Sequence, residues 1–206
     1  KIILLFFGYT NCPDICPTAL SDLITALAGM GHDQHLFQPI FISIDPGRDT
    51  QQVIKEYILH FDHNLLGLTG TPAQLKSFTF NIGSTYASQK KDANDQDYTV
   101  NHTVGYFMVS STGQKIRVPI RNNPRDLRKM ILKVKNRMLE NTIVNVLVEN
   151  KMKDGIKLFG RTEYMTSVVF DGNSDCIGKI VQIEITSSNQ NSLFGIIKEN
   201  YKKKVA

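Results

Sequence analysis

Tryptophan is absent from the 206 residues, so the aromatic content rests on 11 Phe and 7 Tyr. No apolar run approaches the twenty or so residues that a membrane-crossing helix needs, and no transmembrane helix is expected. The first residues lack the basic n-region and small-residue cleavage site of a secretory signal. The chain opens instead inside an apolar run, as expected of a fragment of a longer protein. Cysteine is scarce too: three residues, an odd count, which excludes a disulfide scaffold. Charge of one sign is not abundant. The net charge is +5, with 15 basic against 12 acidic groups in residues 1–140 and 9 against 7 in residues 141–206. Such a balance permits nucleic-acid binding without demanding it. What is present is a hydrophobic fraction of 41 %, enough to bury one large core or two small ones.

Hydrophobic periodicity divides the chain near Glu140. Before it, strands and helices alternate. Ile2 to Phe7 is an unbroken apolar run, as in a strand buried on both faces. Ala19, Leu20, Leu23, Ile24 and Leu27 then fall at helical spacing. Pro39 to Ile44 reads as a second buried strand, Val53 to Phe61 as a helix and Leu65 to Leu68 as a short strand. Thr71 to Gln74 has the form of a capping box with Pro first in the helix. Residues 88–97 read as a polar loop, and Gly105 to Val109 pairs with Lys115 to Ile120 through a turn at 111–114. Asn123 caps a last helix whose stripe is Leu127, Met130, Ile131, Val134 and Met138. The pattern β-α-β-α-β-α-β-β-α predicts an α/β domain of thioredoxin-like layout. After Glu140, short strand-like runs at 142–149, 164–170, 180–186 and 193–197 are separated by turn residues with no helix between them. A small all-β barrel is expected there.

The chemistry sits at the first seam between strand and helix, in Gly8-Tyr9-Thr10-Asn11-Cys12-Pro13-Asp14-Ile15-Cys16-Pro17. Two cysteines four apart share a helical face if the first turn is already helical, and a helix N-terminus favours thiolates. Such a pair suits a soft metal or a disulfide. The spacing is one residue longer than the C-x₂-C of disulfide oxidoreductases. An iron–sulfur cluster of the C-x₃-C-x₂-C type would lack its third ligand, because Ala19 occupies that place. A missing ligand is available from His32, His35, His60, His63 or His102. His102 is the best placed, just before the strand at 105–109; the other four read as solvated or capping. Two thiolates and an imidazole suit Cu(I), with Cu(II) as the alternative, whereas zinc would need a fourth ligand. Asp45 and Asp49 read as turn and cap residues, with Arg48 pairing to one of them. Met130 and Met138 read as helix core, and Cys176 as inert.

The same residues resemble a known family. LLFFGYTNCPDICP is similar to the F-G-[FY]-T-x-C-P-D-x-C-P signature of the Sco/SenC copper chaperones. Asp45-Pro46-Gly47-Arg48-Asp49-Thr50, Gly67-Leu68-Thr69-Gly70-Thr71 and Asn101-His102-Thr103 match three further segments of that family in order. Asn101 stands where Asp is usual and Gln51 where Pro is common. The resemblance spans 1–139. It implies a thioredoxin-like fold, copper held by Cys12, Cys16 and His102, and delivery to the copper-bearing subunit of cytochrome c oxidase. It also implies a membrane anchor and a periplasmic or intermembrane-space location. Residues 141–198 resemble the TRAM domain that ends MiaB-type tRNA methylthiotransferases, through segments such as Val146-Leu147-Val148-Glu149, Gly160-Arg161-Thr162-Glu163 and Ser192-Leu193-Phe194-Gly195. That implies a small RNA-binding barrel, with Arg161, Lys179 and the Lys202–Lys204 tail as contacts and Tyr164 or Phe194 for stacking. The two halves thus imply opposite sides of a membrane. Three functions follow: a copper metallochaperone with a Cys12–Cys16 disulfide in its metal-free oxidised form, a thiol–disulfide reductase acting on a partner's copper-ligand cysteines, and an RNA-binding fragment joined to an unrelated domain.

Overall fold

A computed structural model describes residues 1–89, 98–121, 123–153 and 155–198. The chain divides into two compact units, Lys1–Arg128 and Lys129–Ala206.

The first unit is built around β1 (Ile2–Gly8). α1 (Ile15–Ala28) follows, and after a 3₁₀ turn the chain returns as β2 (Phe37–Ser43), parallel to β1 with Phe6 opposite Phe41. α2 (Gln51–Leu59) leads to β3 (Leu66–Leu68), parallel to β2, and α3 (Pro72–Ile82) follows. The short strands β4 (Tyr86–Gln89) and β5 (Thr99–His102) pair antiparallel as a separate two-stranded sheet. β6 (Tyr106–Val109) adds antiparallel to the other edge of β1, and β7 (Lys115–Val118) pairs with β6. The central order is therefore β3-β2-β1-β6-β7.

The apolar run of β1 is explained by burial on both faces. Leu5 and Phe7 join Ile42, Leu75, Tyr98, Val100 and Phe107 in one core. Leu4 and Phe6 point the other way and are fully buried, like Leu20 and Leu23 of α1. On that face Phe6 lies beside Phe41 and Tyr106, and the Tyr106 hydroxyl donates to the Ala19 carbonyl at 2.8 Å. Local signals set the helix ends. Thr50 caps α2 through the Val53 N–H, and Thr71 and Gln74 form the expected capping box with Pro72 in the first turn. Gly83 closes α3 at φ 80°, a left-handed conformation that favours glycine.

The structure adds a hairpin where a polar loop was expected. β4 reaches Gln89 inside the 88–97 segment, and 90–97 lies outside the described residues. β4 and β5 have four residues each, and only Val100 among them is buried, so neither carries an alternating pattern.

α4 (Pro124–Arg137) begins after Asn123, whose side-chain oxygen accepts from the Arg125 N–H. Leu127, Ile131 and Met138 are buried as expected. Lys135 and Asn136 are buried as well. The Lys135 ammonium meets the Thr166 hydroxyl at 3.3 Å, and the Asn136 amide donates to the carbonyls of Asn189 and Gln190.

The second unit closes as a barrel of β8 (Ile143–Lys151), β9 (Lys157–Thr162), β10 (Ser167–Asp171), β11 (Ile180–Ser188) and β12 (Ser192–Ile197), in the order β10-β12-β11-β8-β9. Alternate residues fill it: Val146 and Val148, Leu158, Val168 and Phe170, Val181, Ile183 and Ile185, and Leu193. Five strands replace the four expected. β9 was hidden because Gly160 interrupts its pattern. A Cβ at Gly160 would strike the Leu147 carbonyl and Val146, so a close backbone approach demands glycine there. The strand expected from Tyr164 begins at Ser167. Met165 sits at φ 59°, and Thr162 and Thr166 close a tight turn between β9 and β10.

Candidate metal centre

β1 ends at Gly8, and the next six residues carry the chain over to α1. A backbone bond from Cys12 N–H to the Tyr9 carbonyl, 3.2 Å, folds this loop back. Cys16 lies in the first turn of α1 and is fully buried, whereas Cys12 precedes the helix, is half-buried and packs against the core beneath Tyr9. The condition for a shared helical face, a first turn already helical at Cys12, is not met, because α1 starts only at Ile15. The two cysteines are nevertheless neighbours: both are free thiols, and Cys12 lies close enough to help raise the pKa of Cys16. Gly8 makes room for Cys16. A Cβ at Gly8 would lie 2.9 Å from Cys16 Sγ, 3.0 Å from Phe41 Cε2 and 3.2 Å from Phe6 Cε1.

The expected preference for thiolate at the helix N-terminus is overturned for Cys16. Burial pushes its thiol well above the ordinary cysteine range, the neighbouring Cys12 adds to this, and a backbone contact from Tyr9 opposes it only in part. Desolvation of a fully buried sulfur outweighs the partial charge of a helix end. The metal-free pair is therefore held as thiol at this sulfur, and a thiolate there needs a cation to replace the proton.

His102 is the last residue of β5, placed opposite Tyr86. Its ring meets Phe6 edge-on with centroids 6.5 Å apart, and its Nδ1 lies 3.1 Å from the Thr103 carbonyl. Burial lowers its pKa, so the neutral imidazole is favoured. Cys16 and His102 thus both border Phe6. Among the described residues, no three His, Cys, Asp or Glu side chains are gathered closely enough to hold a metal ion. The structure brings the two cysteines together and does not place His102 with them in such a cluster. His35, His60 and His63 are exposed, and His60 ends α2.

Beneath the cysteine loop lies a network that the sequence reading missed. Asp49, taken as a cap, is 1 % exposed. Its carboxylate accepts from the Thr10 N–H at 2.9 Å, the Thr10 hydroxyl at 2.6 Å and the Ser43 hydroxyl at 2.5 Å. It ties the end of β2 to the residue two before Cys12, and three donors offset the cost of burying its charge. Asp45 accepts from the Tyr98 hydroxyl and pairs with Arg48, each at 2.5 Å, which bears out the expected pairing of Arg48 with one of the two aspartates. The Arg48 guanidinium lies over the Tyr98 ring, 3.7 Å from its centroid. Burial, with Asp45 alongside, pushes the Tyr98 phenol up to about 12, so it remains a donor. Thr10 and Asp49 are 39 residues apart and Tyr98 and Asp45 are 53 apart, so no local pattern announced either bond.

On the barrel, Arg161 pairs with Glu149 at 3.3 Å, lies 5.3 Å from the centre of the Phe159 ring and donates to the Met165 carbonyl. Lys179 and Tyr164 are exposed and Phe194 is half-buried. Cys176 is half-buried against the barrel core. The Lys202–Lys204 tail lies outside the described residues.

A mixed sheet flanked by helices, with paired thiols where its central strand passes into a helix, defines a thioredoxin-like protein; a small closed barrel accompanies it. Residues 1–139 match the SCO1/SenC family model, and the chain belongs to that family. Residues 137–198 match the TRAM domain. Protein SCO2 of Saccharomyces cerevisiae, mitochondrial, is 37 % identical over 123 residues, covering 59 % of this chain and 41 % of that one. The tRNA-2-methylthio-N(6)-dimethylallyladenosine synthase of Pelagibacter ubique is 78 % identical over 72 residues, covering 35 % of this chain and 16 % of the enzyme. This chain therefore spans less than half the length of either relative. Among solved structures, Bradyrhizobium japonicum ScoI with copper bound superposes with a TM-score of 0.55 at 35 % identity, covering 62 % of this chain and 81 % of that one. Among the described residues, no helix is long and apolar enough to cross a membrane.

Proposed function

We propose that this chain is a copper metallochaperone whose Cys12 and Cys16 hold the ion as thiolates, with the His102 imidazole as third donor. The observation that carries the reading is the pair of neighbouring free thiols after β1, in a chain similar to a ScoI solved with copper bound. Two thiolates and a neutral imidazole are a donor set for Cu(I), which is content with three ligands. The half-exposed Cys12 supplies the route by which an acceptor's ligand exchanges in and the ion leaves. The acceptor is the copper-bearing subunit of cytochrome c oxidase, and the work is done on the periplasmic or intermembrane-space face of a membrane. Residues 1–139 form the copper-binding domain. Residues 141–206 form a TRAM-like barrel that binds RNA weakly, through Arg161 and Lys179.

A second reading is a thiol–disulfide reductase that keeps a partner's copper-ligand cysteines reduced. It is favoured by the neighbouring pair of free thiols and by the absence, among the described residues, of a cluster that joins His102 to them. One titration separates the two. Cu(I) retention against a chelator of known affinity is expected at one ion per chain. Cys12→Ala and Cys16→Ala are expected to abolish it, and His102→Ala to weaken it by removing one of three ligands. If His102→Ala retains copper as tightly as the parent while thiol exchange needs only the cysteines, the reductase reading stands and the three-ligand site falls.

A further inference from the structure

Tyr57 projects from α2 toward the face of β1 that carries Phe6. Its ring packs on Phe41 with centroids 5.4 Å apart and on Phe61 at 5.2 Å. Phe41 is the residue that meets Cys16 across Gly8: the space above Gly8 is bounded by Cys16 Sγ and Phe41 Cε2. Tyr57 therefore stands one ring away from the buried sulfur. Its hydroxyl is sealed from solvent and has no hydrogen-bond partner among the described residues. That contrasts with Tyr106 on the same face, whose hydroxyl is satisfied by the Ala19 carbonyl. Burial pushes the Tyr57 phenol well up, and Cys16, Cys12 and Asp49 add to this in their charged forms, so the hydroxyl keeps its proton.

An unpaired O–H in a dry interior is costly, and a phenylalanine would fill the same space without it. The metal-free state gives the hydroxyl little to do, because the buried Cys16 keeps its proton and a thiol sulfur is a weak acceptor. Loading a metal changes the account of donors. Both thiols lose their protons, and Cys16 Sγ becomes acceptor-only in a place that water does not reach.

We propose that Tyr57 is a positioning residue for the thiol pair, its hydroxyl donating a hydrogen bond to Cys16 Sγ when that sulfur is a metal-bound thiolate. The inference rests on the copper reading above. A donor to a ligand sulfur withdraws electron density from it, fixes its direction and lowers the energy of the loaded state relative to the empty one. No atom is transferred: the phenol keeps its proton throughout.

Tyr57→Phe removes the oxygen and keeps both ring contacts. The full chain, the variant and Tyr106→Phe as control are compared by Cu(I) competition with a chelator and by the sulfur-to-metal charge-transfer band after loading with Cu(II). Tyr57→Phe is expected to bind Cu(I) about tenfold more weakly, the worth of one hydrogen bond to a charged sulfur. Its band is expected to move to lower energy, because an unbonded thiolate gives up an electron more easily. Tyr106→Phe is expected to change neither. Unchanged affinity and an unmoved band in Tyr57→Phe overturn the inference while leaving the copper reading intact. A parent chain that takes up no copper overturns both. Should the variant fail to fold, the parent decides: Tyr57 ring resonances identical in the reduced metal-free and Cu(I)-loaded chain overturn the inference equally.

Discussion

Around the end of β1, the first unit buries Cys16, Ser43, Asp45 and Asp49 among its aromatic residues, and seals the Tyr57 hydroxyl there too. The barrel interior is filled instead by Val146, Val148, Leu158, Val168, Phe170, Val181, Ile183, Ile185 and Leu193. Both are close-packed; the second unit's buried polar side chains, Lys135, Asn136, Thr162 and Thr166, lie outside that apolar cluster, whereas the first unit gathers its polar groups beneath the cysteine loop. Burying a carboxylate or a thiol costs free energy that a Val or Ile would not, so the arrangement under the cysteine loop is what a site requires beyond what a fold requires. The barrel core is stability alone. Whatever the barrel recognises must be read from its outer face, where Arg161 is already engaged with Glu149.

The largest break in this contrast is expected at Asp49. Asp49→Ala leaves the Thr10 N–H, the Thr10 hydroxyl and the Ser43 hydroxyl without their acceptor, and should destabilise the chain by about 3 kcal/mol in urea unfolding. Copper retention should fall with it, because Thr10 sets the loop that ends at Cys12. Asp49→Asn, which keeps one acceptor oxygen, should lose less on both measures. A loss of under about 0.5 kcal/mol in Asp49→Ala would put the residue with ordinary surface positions and remove its role in holding the loop.

A smaller effect is expected from pH. Burial lowers the pKa of His102 from its ordinary 6.5, so the folded chain holds the ring neutral while the unfolded chain takes up the proton more readily. The contribution is complete above the ordinary value and is lost as the pH falls through 6.5 toward the lowered native value. Urea midpoints measured on either side of that value should show the parent weakening in acid and His102→Gln weakening less. Identical acid arms in the two would mean that the ring is not held neutral by the fold.

The smallest effect belongs to the barrel. With Arg161 paired and Lys179 exposed, a tRNA titration should show weak affinity and a salt slope of only about −1, since each phosphate contact contributes roughly −0.9. Tight, salt-insensitive binding, or binding that maps to residues 1–140, would reverse the comparison.

How far the sequence disclosed all this depended on how local each feature was. The apolar run of β1, the capping box at Thr71 and Gln74 and the cysteine spacing each lie within one element, and each was legible. β9 was not, because the glycine that its close packing requires also erases its pattern. β4 and β5 were not, because four polar-rich residues carry no period. The state of Cys16 was misjudged because the helix end is visible in sequence and the burial that outweighs it is not. Asp49 was read as a cap because its partners, Thr10 and Ser43, belong to other elements and the bond to Thr10 spans 39 residues.

The placement of His102 in β5 has a consequence for how this chain can change over generations. Side chains alternate along a strand, so it is the parity of a position, odd or even, that assigns it to a side. Tyr86 faces His102 in the pairing, and Val100, two residues earlier, belongs to the same side of β5. Exchanging Asn101 for another residue leaves that parity alone. Inserting or deleting a single residue between Val100 and His102 would turn the imidazole to the opposite side, away from Phe6, with every functional residue still present in the sequence. Two such steps would bring it back. The histidine is therefore protected by a count as well as by its identity, and its loss could be written as a change of length in which no residue of the site is replaced.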